Sequence, residues 1–211
     1  MLSVLLLSLL LIFAPPAAAQ VQRIPPLDQC AGDAAFAAFR AELEQAIARK
    51  DAERLLAIVA DDIEIDFGGG AGRAQFAETW ALDRPETSPV WEELAAVLRL
   101  GCAREAAGGY WMPSMFMAEG FDDGFTAAVA IRPGATVHAA PDPGSPVVAT
   151  LDWDLLTVPQ WQWEAPWQSV EMAGGRTGHV RTADIRSPID YRALFAPVDG
   201  RWQMKVFIAG D

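Results

Sequence analysis

The sequence predicts an α+β protein: a mainly helical N-terminal region with one short strand, then a small β-barrel and a C-terminal β-hairpin. Three observations carry this. Apolar residues recur at steps of three and four up to about residue 100. After the loop Gly120–Gly124 (GFDDG), helical periodicity vanishes and short apolar runs alternate with turns. Finally, Asp199-Gly200 sits between two apolar runs, the signature of a tight hairpin.

The chain opens MLSVLLLSLLLIFAPPAAAQ, an apolar run followed by small residues at Ala17-Ala18-Ala19. That pattern reads as a secretory signal cleaved near Ala19, placing the mature protein in the periplasm or outside the cell. Pro15-Pro16 interrupts the run before it reaches membrane-spanning length, and no second long apolar run follows, so no stable span is expected after cleavage. The predicted divisions are 1–19 (signal), 20–125 (acidic helical region), 126–187 (barrel) and 188–211 (hairpin packing on one or other neighbour).

Within 20–125, Pro25-Pro26 keeps a leader arm extended. Asp33 caps a helix whose buried face is Phe36, Phe39, Leu43 and Ile47, and Asp51 caps a second carrying Leu55, Leu56 and Val59. Ile63, Ile65 and Phe67 alternate with Glu64 and Asp66, a strand ended by Gly68-Gly69-Gly70. Phe76 and Trp80 suggest a short helix. A further one starts at Ser88-Pro89, buries Trp91, Leu94 and Leu98, and stops at Gly101. Gly108–Met117 holds a strand broken by Pro113. Beyond GFDDG, strands are expected at 128–131, 147–151, 155–158, 167–172 and 178–180, with the hairpin at 191–197 and 201–208.

Net charge is −12, and 20–126 carries −10 of it. Such a surface repels phosphate backbones and anionic lipid, so nucleic acid is not an expected partner. Cys30 and Cys102 are the two cysteines. In an oxidising compartment an isolated pair reads most simply as a disulfide, with free thiols or a redox pair as the alternatives; Cys-x-x-Cys spacing is absent.

The stretch after Thr126 is similar to bacterial SH3-like domains. It carries Val137-His138-Ala139-Ala140-Pro141, a short turn, then Pro146–Leu151, and later Trp167-Gln168-Ser169-Val170 and Gly178-His179-Val180. The resemblance covers about Thr126 to Ser187 and implies a small barrel. His138 stands where the family commonly has Arg, Asp154 where a turn Gly is common, and His179 where Tyr or Trp is usual. It also implies a binding rather than an enzymatic role, with murein peptides as one ligand class. More distantly, residues 46–76 and the C-terminal hairpin resemble proteins similar to nuclear transport factor 2. That likeness implies that the barrel interrupts a larger fold.

No catalytic motif, metal-ligand set or phosphate loop is present, so no enzyme activity, cofactor or metal is expected. The binding candidates are Trp161 and Trp163, which alternate in VPQWQWEAPW, together with His179. In an extended segment both indoles share a face. They then either line a groove for a peptide or cell-envelope component, or form the core between the two regions. Purely structural protein contacts remain open. The rival functional site is a small-molecule or enzymatic pocket in the N-terminal region, lined by Glu64, Asp66 and Tyr110.

Overall fold

The structure is a computed structural model describing residues 20–210. The predicted signal and its cleavage at Ala19 lie outside the described residues. No helix among them is long and apolar enough to cross a membrane.

Helix α1 (Ala34–Arg49) starts where Asp33 accepts from the Phe36 amide, and α2 (Ala52–Ile58) where Asp51 accepts from that of Arg54. Each such cap stabilises by about 1 kcal/mol. Next come β1 (Val59–Glu64), α3 (Arg73–Thr79) and α4 (Val90–Leu98). The Ser88 hydroxyl accepts from the Val90 amide at the head of α4. Gly101 closes the segment at φ +76°. Short strands β2 (Ala103–Arg104) and β3 (Tyr110–Met112) follow.

Residues 127–186 then form β4 (Ala127–Ala130), β5 (Ala135–His138), β6 (Val147–Leu151), β7 (Leu155–Thr157), β8 (Trp167–Met172), β9 (Arg176–Arg181) and β10 (Ile185–Arg186). The chain ends with β11 (Arg192–Val198) and β12 (Arg201–Ile208), joined through Asp199 and Gly200, both at positive φ. Two positive φ values in a two-residue loop match the right-handed twist of the flanking strands.

These strands make two sheets, ordered β1-β12-β11-β3-β2 and β10-β4-β7-β8-β9-β5-β6. The C-terminal hairpin therefore belongs to the first sheet, beside strands from 59–112, and the second sheet lies between its parts in sequence. The first sheet's core joins Phe36 and Leu43 of α1, Trp91 and Leu94 of α4, and Tyr110, Phe195 and Phe207 of the strands. The second sheet has its own core, built from Ala128, Val137, Leu151, Leu156, Val170 and Val180.

Several expectations are corrected here. Val59 opens β1 instead of closing α2, because it pairs in parallel with Met204 of β12. The strand stops at Glu64, so Phe67 lies exposed in the turn where Asp66 accepts from the Gly68 and Gly70 amides. The region 20–125 contributes three strands: the hairpin partners β1 and β3, and β3 in turn partners β2, a strand the sequence did not suggest.

The second sheet curls around one core, yet its pairing does not close: β6 and β10 are its ends. The link from β4 to β5 occupies that gap. Ile131 donates to the Asp184 carbonyl just before β10, and Gly134 to the Leu151 carbonyl at the end of β6.

The two sheets meet at a third, smaller core of Ile24, Leu100, Met115 and Val129. Its first member comes from the leader arm. Ile24 donates to the Trp153 carbonyl, and Leu155 donates to that of Gln22. Farther along the arm, Cys102 donates to the Leu27 carbonyl and Gln29 to that of Cys102. The arm is thus hydrogen-bonded to both sheets. The Cys30–Cys102 disulfide fastens it, closing a sequence separation of 72. By loop-closure entropy that amounts to roughly 4 kcal/mol. Gly101 makes the approach possible, since a Cβ there would stand 2.2 Å from the Leu27 carbonyl oxygen.

Candidate functional site

Trp161 and Trp163 lie in the irregular segment between β7 and β8, which is not a strand. Their rings nonetheless stack, with centroids 4.6 Å apart and planes 2° from parallel. Trp161 is half-buried against the core of the second sheet, and Trp163 is 62% exposed. Neither belongs to the core between the sheets. The Trp161 indole N–H is buried without a hydrogen-bond partner in the protein.

What holds this segment is a buried amide that the sequence did not single out. The Gln168 side chain accepts from the Gln162 amide at 3.0 Å and donates to the Gln162 carbonyl at 2.7 Å and to the Thr182 hydroxyl at 3.0 Å. Thr182 in turn donates to the Ala165 carbonyl at 2.5 Å. A glutamine 1% exposed has to satisfy its amide inside the protein, and here the loop backbone does so. The signal was present in the alternation of β8, where Gln168, Val170 and Met172 share the inward face.

Beside the loop runs a groove of about 390 Å³ lined by Gln160, Gln162, Trp167, Ser169, His179 and Pro141 among others. A second recess, about 270 Å³, shares Ser169 and His179 and extends to Glu171 and Thr177. His179 thus sits between the two. Its Nδ1 lies 3.4 Å from the Ser169 hydroxyl on the neighbouring strand. Trp161 and Trp163 alternate with the groove's Gln160 and Gln162 but do not line it.

Trp167 is half-buried and lines this groove. The His138 ring meets it edge-on at 5.3 Å, and the Arg181 guanidinium lies 5.5 Å from its ring centroid. His138 is itself buried. Its Nδ1 is 2.9 Å from the Ser145 carbonyl and its Nε2 2.9 Å from the Thr136 hydroxyl. A carbonyl only accepts, so in the neutral ring Nδ1 carries the proton and Nε2 accepts from Thr136. The proline-dense turn 139–146 wraps around this histidine, closed by Ala139 N to Pro146 O and Ala140 N to Ser145 Oγ. That wrapping brings Pro141 to the groove wall.

The residues of the rival pocket do not come together. Tyr110 is fully buried between Phe36 and Trp202, its hydroxyl 3.3 Å from Asp33. Glu64 and Asp66 are exposed. Trp80 and Trp91 fill the core beside the helices, and the Trp91 indole donates to the Pro85 carbonyl.

Three electrostatic features lie elsewhere. Lys205 donates to Asp62, and this hydrogen bond holds the exposed Asp62 carboxyl below its ordinary range. Between the sheets, buried Arg186 reaches Asp190 at 3.4 Å, Glu93 of α4 at 3.9 Å and the Tyr191 carbonyl at 2.9 Å. Burial, with the charge of Asp190, pushes the Glu93 carboxyl above its ordinary value. Burial and the Glu93 charge likewise raise the Tyr191 phenol. The Asp28 carboxylate lies against both sulfurs of the disulfide. The bonded sulfurs offer no thiolate to a metal.

No protein-family model matches the chain, and no curated protein is similar to it. A solved structure titled as a variant of Rd1NTF2_05 aligns with 82% of this chain and 96% of its own, at 11% identity and a TM-score of 0.26. At that score the likeness carries no argument.

Proposed function

We propose that the protein is an exported, non-enzymatic binding protein whose second sheet is an SH3-like unit that holds an extended peptide or another cell-envelope component. The observation that carries this reading is the exposed Trp163, stacked flat on Trp161 at the margin of a groove walled by Trp167, His179 and paired glutamines. A rigid indole pair offers a large apolar face at low entropic cost. The amides of Gln160 and Gln162 supply donors and acceptors to a backbone lying between. Extended ligands are commonly taken by aromatic-lined grooves of this kind. The Cys30–Cys102 disulfide is consistent with an oxidising compartment, periplasmic or extracellular. The acidic surface of the first region keeps nucleic acid an unfavourable partner.

The test is co-sedimentation of the mature protein with purified murein sacculi, and with sacculi stripped of their peptides. Wild type is expected to pellet with intact sacculi, and Trp163→Ala to lose about tenfold in apparent affinity, the order of one stacked aromatic contact. Equal recovery of wild type and Trp163→Ala, or none of either, removes the envelope-binding reading.

A further inference from the structure

We propose that the Cys30–Cys102 disulfide is a lock on the strap that joins the two sheets, and that the Asp28 carboxylate sets how slowly thiols open it. The strap is the arm Gln22–Gln29. It bonds to the turn Trp153–Leu155 of the second sheet at one end and to Cys102 of the first region at the other, with the Leu27 amide donating to Ser114 Oγ at 2.9 Å between them. Its one covalent attachment to the rest of the described fold, apart from the chain itself, is through Cys30.

Both cysteines are buried, whereas Asp28 is exposed, and one of its oxygens lies 3.5 Å from Cys30 Sγ and 3.2 Å from Cys102 Sγ. Reduction by a dithiol begins with an external thiolate attacking one sulfur. A new S–S bond forms to the reagent, the Cys30–Cys102 bond breaks, and the departing sulfur takes the electron pair as a thiolate. The reagent's second thiol then releases the protein dithiol and closes the reagent's own disulfide; the protein sulfurs take up protons. At each of the charged stages a second negative charge must grow within van der Waals reach of the Asp28 carboxylate. Whichever sulfur is attacked, the same oxygen faces the charge. An ordinary cysteine thiol is neutral near pH 7, so the carboxylate opposes the path far more than it alters the end state.

The experiment follows thiol release from the oxidised mature protein in excess dithiothreitol at neutral pH, for wild type, Asp28→Asn and Asp28→Glu. Asp28→Asn is expected to be reduced about tenfold faster at low salt, with the gap closing as salt screens the charge. Asp28→Glu keeps the charge and the slow rate. The equilibrium midpoint in a dithiol buffer should stay within about twofold for all three. Equal rates for wild type and Asp28→Asn, or a gap that salt does not alter, would show that the carboxylate's charge is not the barrier.

Hydrogen exchange on the reduced wild type reads the lock itself. The Ile24 and Gln29 amides are expected to lose protection by at least about tenfold, while those of Leu43 and Val97 keep theirs. Retained protection at Ile24, or loss throughout the molecule, would overturn the strap assignment.

Discussion

Glu93 shows how one side chain senses the meeting of two sheets. It lies on α4, yet its carboxyl is pushed up by burial and by Asp190, against the opposing pull of Arg186 at the end of β10. A raised native value means that the folded protein holds this proton more tightly than the unfolded chain. The site's contribution is therefore full below the ordinary carboxylate value of 4.5 and is lost as pH rises through the elevated one. With about a third of the side chain exposed, solvent keeps the effect modest. Glu93→Gln is expected to flatten the fall in Tm just above pH 4.5, as thermal melts across pH would record. An unchanged slope would mean that other groups produce it. Asp33 and Asp51 were readable as caps because a cap is satisfied within three residues of itself. Glu93 lies in the first turn of α4, where a negative charge suits the positive end of the helix. Its partners Arg186 and Asp190 are nearly a hundred residues away, and no local pattern points to them.

At the scale of elements, the loop between β7 and β8 depends on the strand that follows it. Gln168 and Thr182 hold it through three hydrogen bonds, with a fourth between the two side chains, and the Trp161–Trp163 stack rests on the result. Gln168→Ala leaves the Gln162 amide and carbonyl without these partners, a loss of about 1–3 kcal/mol. Quenching of tryptophan fluorescence by acrylamide should increase in this variant, since Trp161 loses its fixed seat. Quenching equal to that of wild type would assign the loop's order to something other than Gln168. The alternation of β8 and the Asp199-Gly200 hairpin were visible in the sequence, because both are periodic or turn-coded. The start of β1 was misread. Leu55, Leu56 and Val59 fit a helical face, but the vacant edge of β12 pairs with Val59 and overrides that local preference. The proline-dense turn after His138 was visible as a turn. That it wraps around a buried imidazole was not, since the closing bonds run to Ser145 and Thr136.

For the whole molecule, the arm ties the two sheets together. Ile24 is 7% exposed and packs with Leu100, Met115 and Val129 where the sheets meet. Placing a charge there, as in Ile24→Asp, buries an unpaired carboxylate in the junction while leaving the two larger cores untouched. Calorimetry should show one transition for wild type and two for Ile24→Asp, and a single transition in both would mean that the sheets are coupled chiefly through Arg186 and the β10–β11 connection. The sequence by itself determined the α+β class and most helix and strand positions, and it pointed to the pairing of the two isolated cysteines that the structure shows. Periodicity, capping, turn chemistry and redox compartment all act over short spans or through composition. Only the tertiary structure decided that the C-terminal hairpin completes the first sheet, that the second sheet curls without closing, and that the leader arm straps them together. Those outcomes rest on backbone partners far apart in the chain and on which strand edges were left vacant, and neither is written in any local window of residues.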